Sequence, residues 1–248
     1  MATGDDASPA EFLDLAWSHV GASSGDLDLP DPIAFADMRH AWPVQREALA
    51  QRILSGDTRP ADLEVIELPK NELLVRPLAR VSLESRLMYE AAVLSIIEKI
   101  DSQMSHAVFS HRWLAWDKRL YAPVARWMKM HDEAASFHRA NPHLQMARTD
   151  VSAFYENIDL AIVLRELDAL GPPKWAFETI EIFLKSFNEL NNVWGLPQDS
   201  MSLEFWPICT SFPLTKSCIA RASPTFGTRT ICSSLVRTGC PSGKSSWR

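Results

Sequence analysis

Long apolar runs are missing from this chain: no stretch approaches twenty uninterrupted apolar residues, which excludes a membrane-spanning helix on length grounds. A secretory leader is not expected either, because Met1 to Ala10 is acidic and polar and has neither a basic start nor an apolar segment. The expected location is therefore the cytoplasm, where a disulfide framework is out of place. Cysteine is absent until Cys209, and Cys209, Cys218, Cys232 and Cys240 lack the close pairs of a zinc site. The seven histidines form no pair at metal-ligand spacing and have no partner suited to a triad, so they read as structural or surface residues. Positive charge is also short, with a formal net charge of -6, which disfavours a protein whose whole surface binds phosphate.

What is present favours a packed core. Hydrophobic residues make up 46% of the 248, and nine Trp and eleven Phe argue against disorder through most of the length. Such a chain holds one large domain or two small ones. The charge is unevenly spread. Residues 1–198 carry 19 Lys and Arg against 29 Asp and Glu, whereas residues 199–248 carry 6 against 2. Local basic patches are compatible with the acidic total.

Residues 1–60 read as a helical N-terminal extension. Ser8-Pro9 opens a short helix over Ala10 to Val20, Gly21 to Pro32 is turn-rich, and Val44 to Leu54 is helical again. Val65 to Leu68 and Leu73 to Val75 are short β-type runs around Pro69 and Asn71, the pattern of a hairpin. Ser82 is placed as the N-cap of a helix whose apolar face includes Leu83, Leu87, Ala91 and Leu94 and extends to Ile100. Between Val108 and Met130, basic residues alternate with Trp113, Trp116 and Trp127. They could track a nucleic-acid strand by charge and stacking, but the general tendency of aromatics to be buried favours an amphipathic helix that hides the three Trp. Leu160 to Leu170 is a short helix stopped by Gly171-Pro172-Pro173. Trp175 to Leu190 is another, with Phe177, Ile180, Phe183, Leu184 and Phe187 inward.

The densest signal is Arg148-Thr149-Asp150-Val151-Ser152-Ala153-Phe154-Tyr155-Glu156-Asn157-Ile158-Asp159, followed about forty residues later by Gly195-Leu196-Pro197-Gln198. A largely apolar approach from Leu144 ends in one aspartate with two aromatics just beyond, as when a strand delivers a carboxylate to its tip. Together with Leu68-Pro69-Lys70 to Arg76-Pro77-Leu78 upstream, these motifs resemble the bacterial reverse transcriptases of retrons, group II introns and abortive-infection systems. The resemblance covers roughly residues 63–198.

It implies RNA-directed DNA polymerase activity: Mg2+-dependent nucleotidyl transfer from dNTP onto a DNA or RNA primer along an RNA template. Asp150 would be the catalytic metal ligand, with the backbone carbonyl of Val151 beside it. Oxygen donors of this kind suit magnesium, and two ions share the work of such transfers. Tyr155 would reject a 2′-hydroxyl by steric contact, Gln198 would contact the nucleotide, and Lys70 and Arg76 would neutralise the triphosphate. Taken without that context, two basic residues on a hairpin are more often a solvated face.

The resemblance stops after Gln198. The family pattern continues with Gly, a helix and a hairpin carrying Tyr-x-Asp-Asp, whereas this chain has Asp199 and no acidic residue beyond Glu204. The genetic code offers a reason. If the third base of each codon is read with the first two of the next, Gln198 into Asp199 permits Gly. Phe205 into Trp206 must give Leu, and Trp206 into Pro207 must give Ala. Pro207 to Thr210 permits Asn-Leu-Tyr, and Phe226 to Cys232 permits Arg-Tyr-Ala-Asp-Asp-Met. A one-base deletion near the Gln198 codon would make residues 199–248 out-of-frame translation. Eighteen of those fifty residues are Ser, Pro or Cys, a composition ill-suited to a packed unit.

The expected fold is α+β: the fingers and partial palm of a right-hand polymerase over residues 61–198, behind the helical extension and ahead of a poorly ordered tail. Such a chain would be an inactive member of its family. The competing expectation is a non-catalytic remnant of an antiviral defence protein that binds RNA or a protein partner, and the blandest is a helical scaffold with accidental motif matches.

Overall fold

The computed structural model describes residues 8–22, 31–69, 75–104, 106, 108–109, 112–143, 157–190 and 195–197, with backbone alone at Leu68, Arg76, Pro77 and Pro123. Helix α1 spans Pro9–Ala22 and α2 spans Pro32–Ser55. The second helix starts earlier than the sequence pattern indicates. Asp31 caps it by accepting the Ala34 N–H at 3.0 Å, and Pro32 occupies the first turn, where its missing donor costs nothing. It runs on through Pro43, which removes the bond to the Arg39 carbonyl. Arg39 and His40 are exposed, so water can reach that carbonyl. Gly56, at φ 77°, closes the helix in the left-handed conformation.

Strands β1 (Glu64–Pro69) and β2 (Val75–Arg80) form the expected hairpin, with the second strand displaced toward the C-terminus from Leu73–Val75. Ser82 then caps α3 (Leu83–Leu94), its hydroxyl accepting the Ser85 N–H and donating to the Ser85 Oγ. The continuous helix expected as far as Ile100 breaks at Ser95–Ile96 and restarts as α4 (Ile97–Gln103). Both pieces are apolar, so periodicity alone carried straight across the break. A two-residue pair, β3 (Trp113–Leu114) and β4 (Arg119–Leu120), precedes α5 (Pro123–Ala140). Helices α6 (Leu160–Asp168) and α7 (Lys174–Asn188) follow, separated by Gly171 at φ 61° and two prolines.

The architecture is helix-dominated α+β with small antiparallel sheets. Its core is built on α3, buried on every side and packed against α1, α2 and α7. Leu13, Leu87, Met88, Leu167 and Ile180 have almost no surface left. Rings lock the interfaces: Tyr89 meets Phe183 with centroids 4.5 Å apart, and Trp17 stacks on Trp42 at 5.1 Å. Each fully buried apolar side chain contributes about 1.5–3 kcal/mol before chain entropy is counted. Among the described residues, no helix is long and apolar enough to cross a membrane.

Candidate functional site

In the first hairpin, Leu68 lies opposite Arg76 and Pro69 opposite Val75, with residues 70–74 joining the two strands. Arg76 thus stands in β2 at the turn end of the ladder, one residue inside the strand. At the other end Arg80 bonds Glu64 at 2.7 Å, both side chains being largely exposed. Lys70 lies outside the described residues, as do Asp150, Val151, Tyr155 and Gln198. Of the six candidate residues, only the backbone of Arg76 is therefore described. The expected strand-tip position of Asp150 and the expected lack of packing in residues 199–248 also fall outside.

The flanks of both motifs are described and well held. After the aspartate motif, Asp159 caps α6 by accepting the Ala161 N–H at 2.8 Å, and Ile158 packs against the core. Before Gln198, the turn is bracketed by one side chain. Asn188, at the end of α7, accepts the Gly195 N–H at Oδ1 (3.1 Å) and donates from Nδ2 to the Gly195 carbonyl (2.9 Å). The same Nδ2 reaches the Leu184 carbonyl at 3.0 Å. Gly195 has φ 80°, a conformation that a side chain would strain, and Leu196 is buried in the core. Asn188 carried no functional reading in the sequence, because its partner lies seven residues away with no helical or strand period to connect them.

A second polar constellation lies within the core. Arg86 and Glu90, one helical turn apart on α3, are 3% and 2% exposed, with Nε 3.7 Å from Oε2. His19 of α1 approaches the other carboxylate oxygen, its Nδ1 3.9 Å from Glu90 Oε1. The far side of that ring settles the tautomer: Nε2 lies 2.7 Å from the Lys118 carbonyl, which can only accept, so Nε2 carries the proton. Burial is the larger influence on His19 and lowers its pKa below the ordinary value, while the bond to Lys118 pulls the other way. Burial thus favours the neutral form of the ring in the folded protein. The i,i+4 spacing of Arg86 and Glu90 was visible in the sequence, but their burial was not.

The second hairpin corrects the reading of the Trp-rich segment. Trp113 is buried as expected, yet it lies in a strand, and Trp116 at the hairpin tip is 79% exposed. Trp127, on α5, is 46% exposed. The reason is geometric: a two-residue strand pair turns one Trp inward and leaves the next to project from the turn. The base of the hairpin is tied down by Asp101, which accepts from Arg112 Nε (2.8 Å), Arg112 Nη2 (3.1 Å) and the Trp113 N–H (2.9 Å). Arg126 of α5 donates to the Phe109 carbonyl at 2.6 Å and stacks its guanidinium over Tyr121, 5.2 Å from the ring centroid.

Among the described residues, no group of three His, Cys, Asp or Glu is gathered so that it could hold a metal ion. A scan against family models finds no match to this chain, and neither does a search of curated proteins.

Proposed function

We propose that the chain is a catalytically inactive member of the reverse transcriptase family, comprising the fingers and part of the palm of a right-hand polymerase. The observation that carries the reading is the Arg148–Asp159 run followed by Gly195–Gln198, in order and at the family's distance. Two structural facts support it. A hairpin occupies the segment where the family pattern has its Lys and Arg, and the Gly195–Pro197 turn is anchored by paired hydrogen bonds.

In this reading Lys70 and Arg76 face a triphosphate, Tyr155 excludes a 2′-hydroxyl, and Gln198 meets the incoming dNTP. RNA template, primer and Mg2+ are the partners, and the cytoplasm is the location. The donor set does not fit two magnesium ions, however. Asp150 and the Val151 carbonyl are all that the motifs supply, and no acidic residue follows Glu204.

The decisive test is the gene. One base restored at the Gln198 codon, with the downstream coding sequence included, is expected to yield Mg2+-dependent primer extension that Asp150→Ala abolishes. The 248-residue protein itself is expected to extend no primer. Codons across Gly227 to Ile231 that fail to spell Tyr-x-Asp-Asp in the shifted register would remove the frameshift explanation. Robust extension by the 248-residue protein would remove the claim of inactivity.

A further inference from the structure

We propose that the tip of the β3–β4 hairpin is a docking point for single-stranded nucleic acid, with a base stacked on Trp116 and phosphates met by Lys118 and Arg119. The inference stands on the hairpin's own chemistry and does not require the polymerase reading.

Three observations converge on it. Trp116 exposes most of a large ring, while Trp113, three residues earlier, is buried. The tip itself carries two exposed cations, Lys118 and Arg119, against the single acid Asp117, in a chain of net charge -6, while Arg112, Arg126 and Lys129 are engaged by Asp101, the Phe109 carbonyl and Glu133. The tip is also rigidly held. Asp101 grips its base, His19 holds the Lys118 carbonyl, and Lys118 adopts φ 48°, a left-handed backbone unusual for a residue with a side chain. Short hairpin loops commonly place one residue in this conformation, and here it sets the path of the tip.

An exposed aromatic ring beside two cations suits a single strand in particular. Every unpaired base offers a face to stack on, worth about 1–3 kcal/mol per base. Arg119 pairs with Asp117 at the exposed tip, an arrangement of small net value that a phosphate can displace. A duplex keeps its bases inside the stack and so offers Trp116 no face.

The test is fluorescence anisotropy on the full chain with labelled single-stranded RNA, single-stranded DNA and the matching duplexes, each roughly 20 nucleotides, longer than common single-strand site sizes. Single strands are expected to bind and duplexes to bind more weakly. Trp116→Ala should weaken single-strand binding roughly tenfold. Trp116→Phe keeps a ring and should retain most of the affinity, which separates stacking from folding. Lys118→Gln should lower the slope of log affinity against log salt by about 0.7. The proposal is overturned if the unmodified chain binds no single strand, or if Trp116→Ala binds as tightly. It is also overturned if light scattering shows that Trp116 instead holds two copies together and Trp116→Ala separates them. Failure of primer extension by the frame-restored protein leaves this inference intact, and loss of binding here leaves the polymerase reading intact.

Discussion

Helices α3 and α5 are both stable-looking helices with apolar residues along them, yet they occupy opposite environments. In α3 every residue except Glu84 is buried, including Arg86 and Glu90. In α5 no described side chain is fully buried, and only positions such as Met130, Ala134 and Phe137 reach half-burial. A helix draws most of its stability from packing one face. Surrounded by α1, α2 and α7, α3 obtains that stability, whereas α5 relies on local devices. These are a proline at its first position, His138 and Arg139 near its negative end, and a Lys129–Glu133 pair one turn apart. The difference teaches that apolar content does not set burial in this protein; position relative to α3 does.

The largest effect that sharpens this contrast should come from the buried pair. Glu90→Leu leaves the Arg86 guanidinium buried without its counter-charge and should cost about 3–5 kcal/mol in urea unfolding. Adding Arg86→Met to it should recover much of that loss, since two apolar groups replace a desolvated pair. If Glu90→Leu were as stable as the parent, the core would not depend on this pair.

Next is the bracket at the end of α7. Asn188→Ala strips the Gly195 N–H and C=O of their partner and should cost about 1–3 kcal/mol. Amide exchange at Gly195 should quicken well beyond the change at core amides. Uniform quickening would mean that Asn188 supports α7 rather than the turn.

His19 links the two regions, because it bonds the rim hairpin from a core helix. Its pKa is lowered by burial in the folded state, so the unfolded chain takes up the proton first, near the ordinary value of about 6.5. Stability is therefore full above that pH, declines as pH falls below it, and stops declining once the folded form is protonated too. Urea midpoints between pH 7.5 and 5 should show this decline, and it should shrink in His19→Gln. An equal decline in that variant would assign the effect to other groups.

The smallest effect belongs to the rim. Trp116→Ala should change stability by no more than about 0.5 kcal/mol, because a largely exposed ring has little packing to lose. A thermal melt several degrees lower would show that the ring packs more closely than its exposure indicates.

Much of the helical framework was legible in the sequence: the opening of α1 at Pro9, the Ser82 cap, the inward face of α7 and the stop at Gly171-Pro172-Pro173. Other features escaped, among them the early start of α2 at Pro32. The break at Ser95–Ile96 was invisible because apolar periodicity continues through it, and Trp116 was assigned to the interior on average tendency alone. The candidate site was legible as a motif order, with its hairpin described and its carboxylate, aromatic and glutamine outside the described residues.

By itself, then, the sequence determined those helix ends that carry a cap, proline or glycine signal, such as Pro9, Ser82 and Gly171, and the order of the motifs, because these signals act over about four residues. Tertiary structure alone decided that Trp113 is buried while Trp116 is not, and that Arg86 and Glu90 lie inside the core. It also decided that His19 meets a carbonyl 99 positions away. Burial and long-range hydrogen bonds depend on which distant elements arrive as neighbours, and no window of local sequence contains that information.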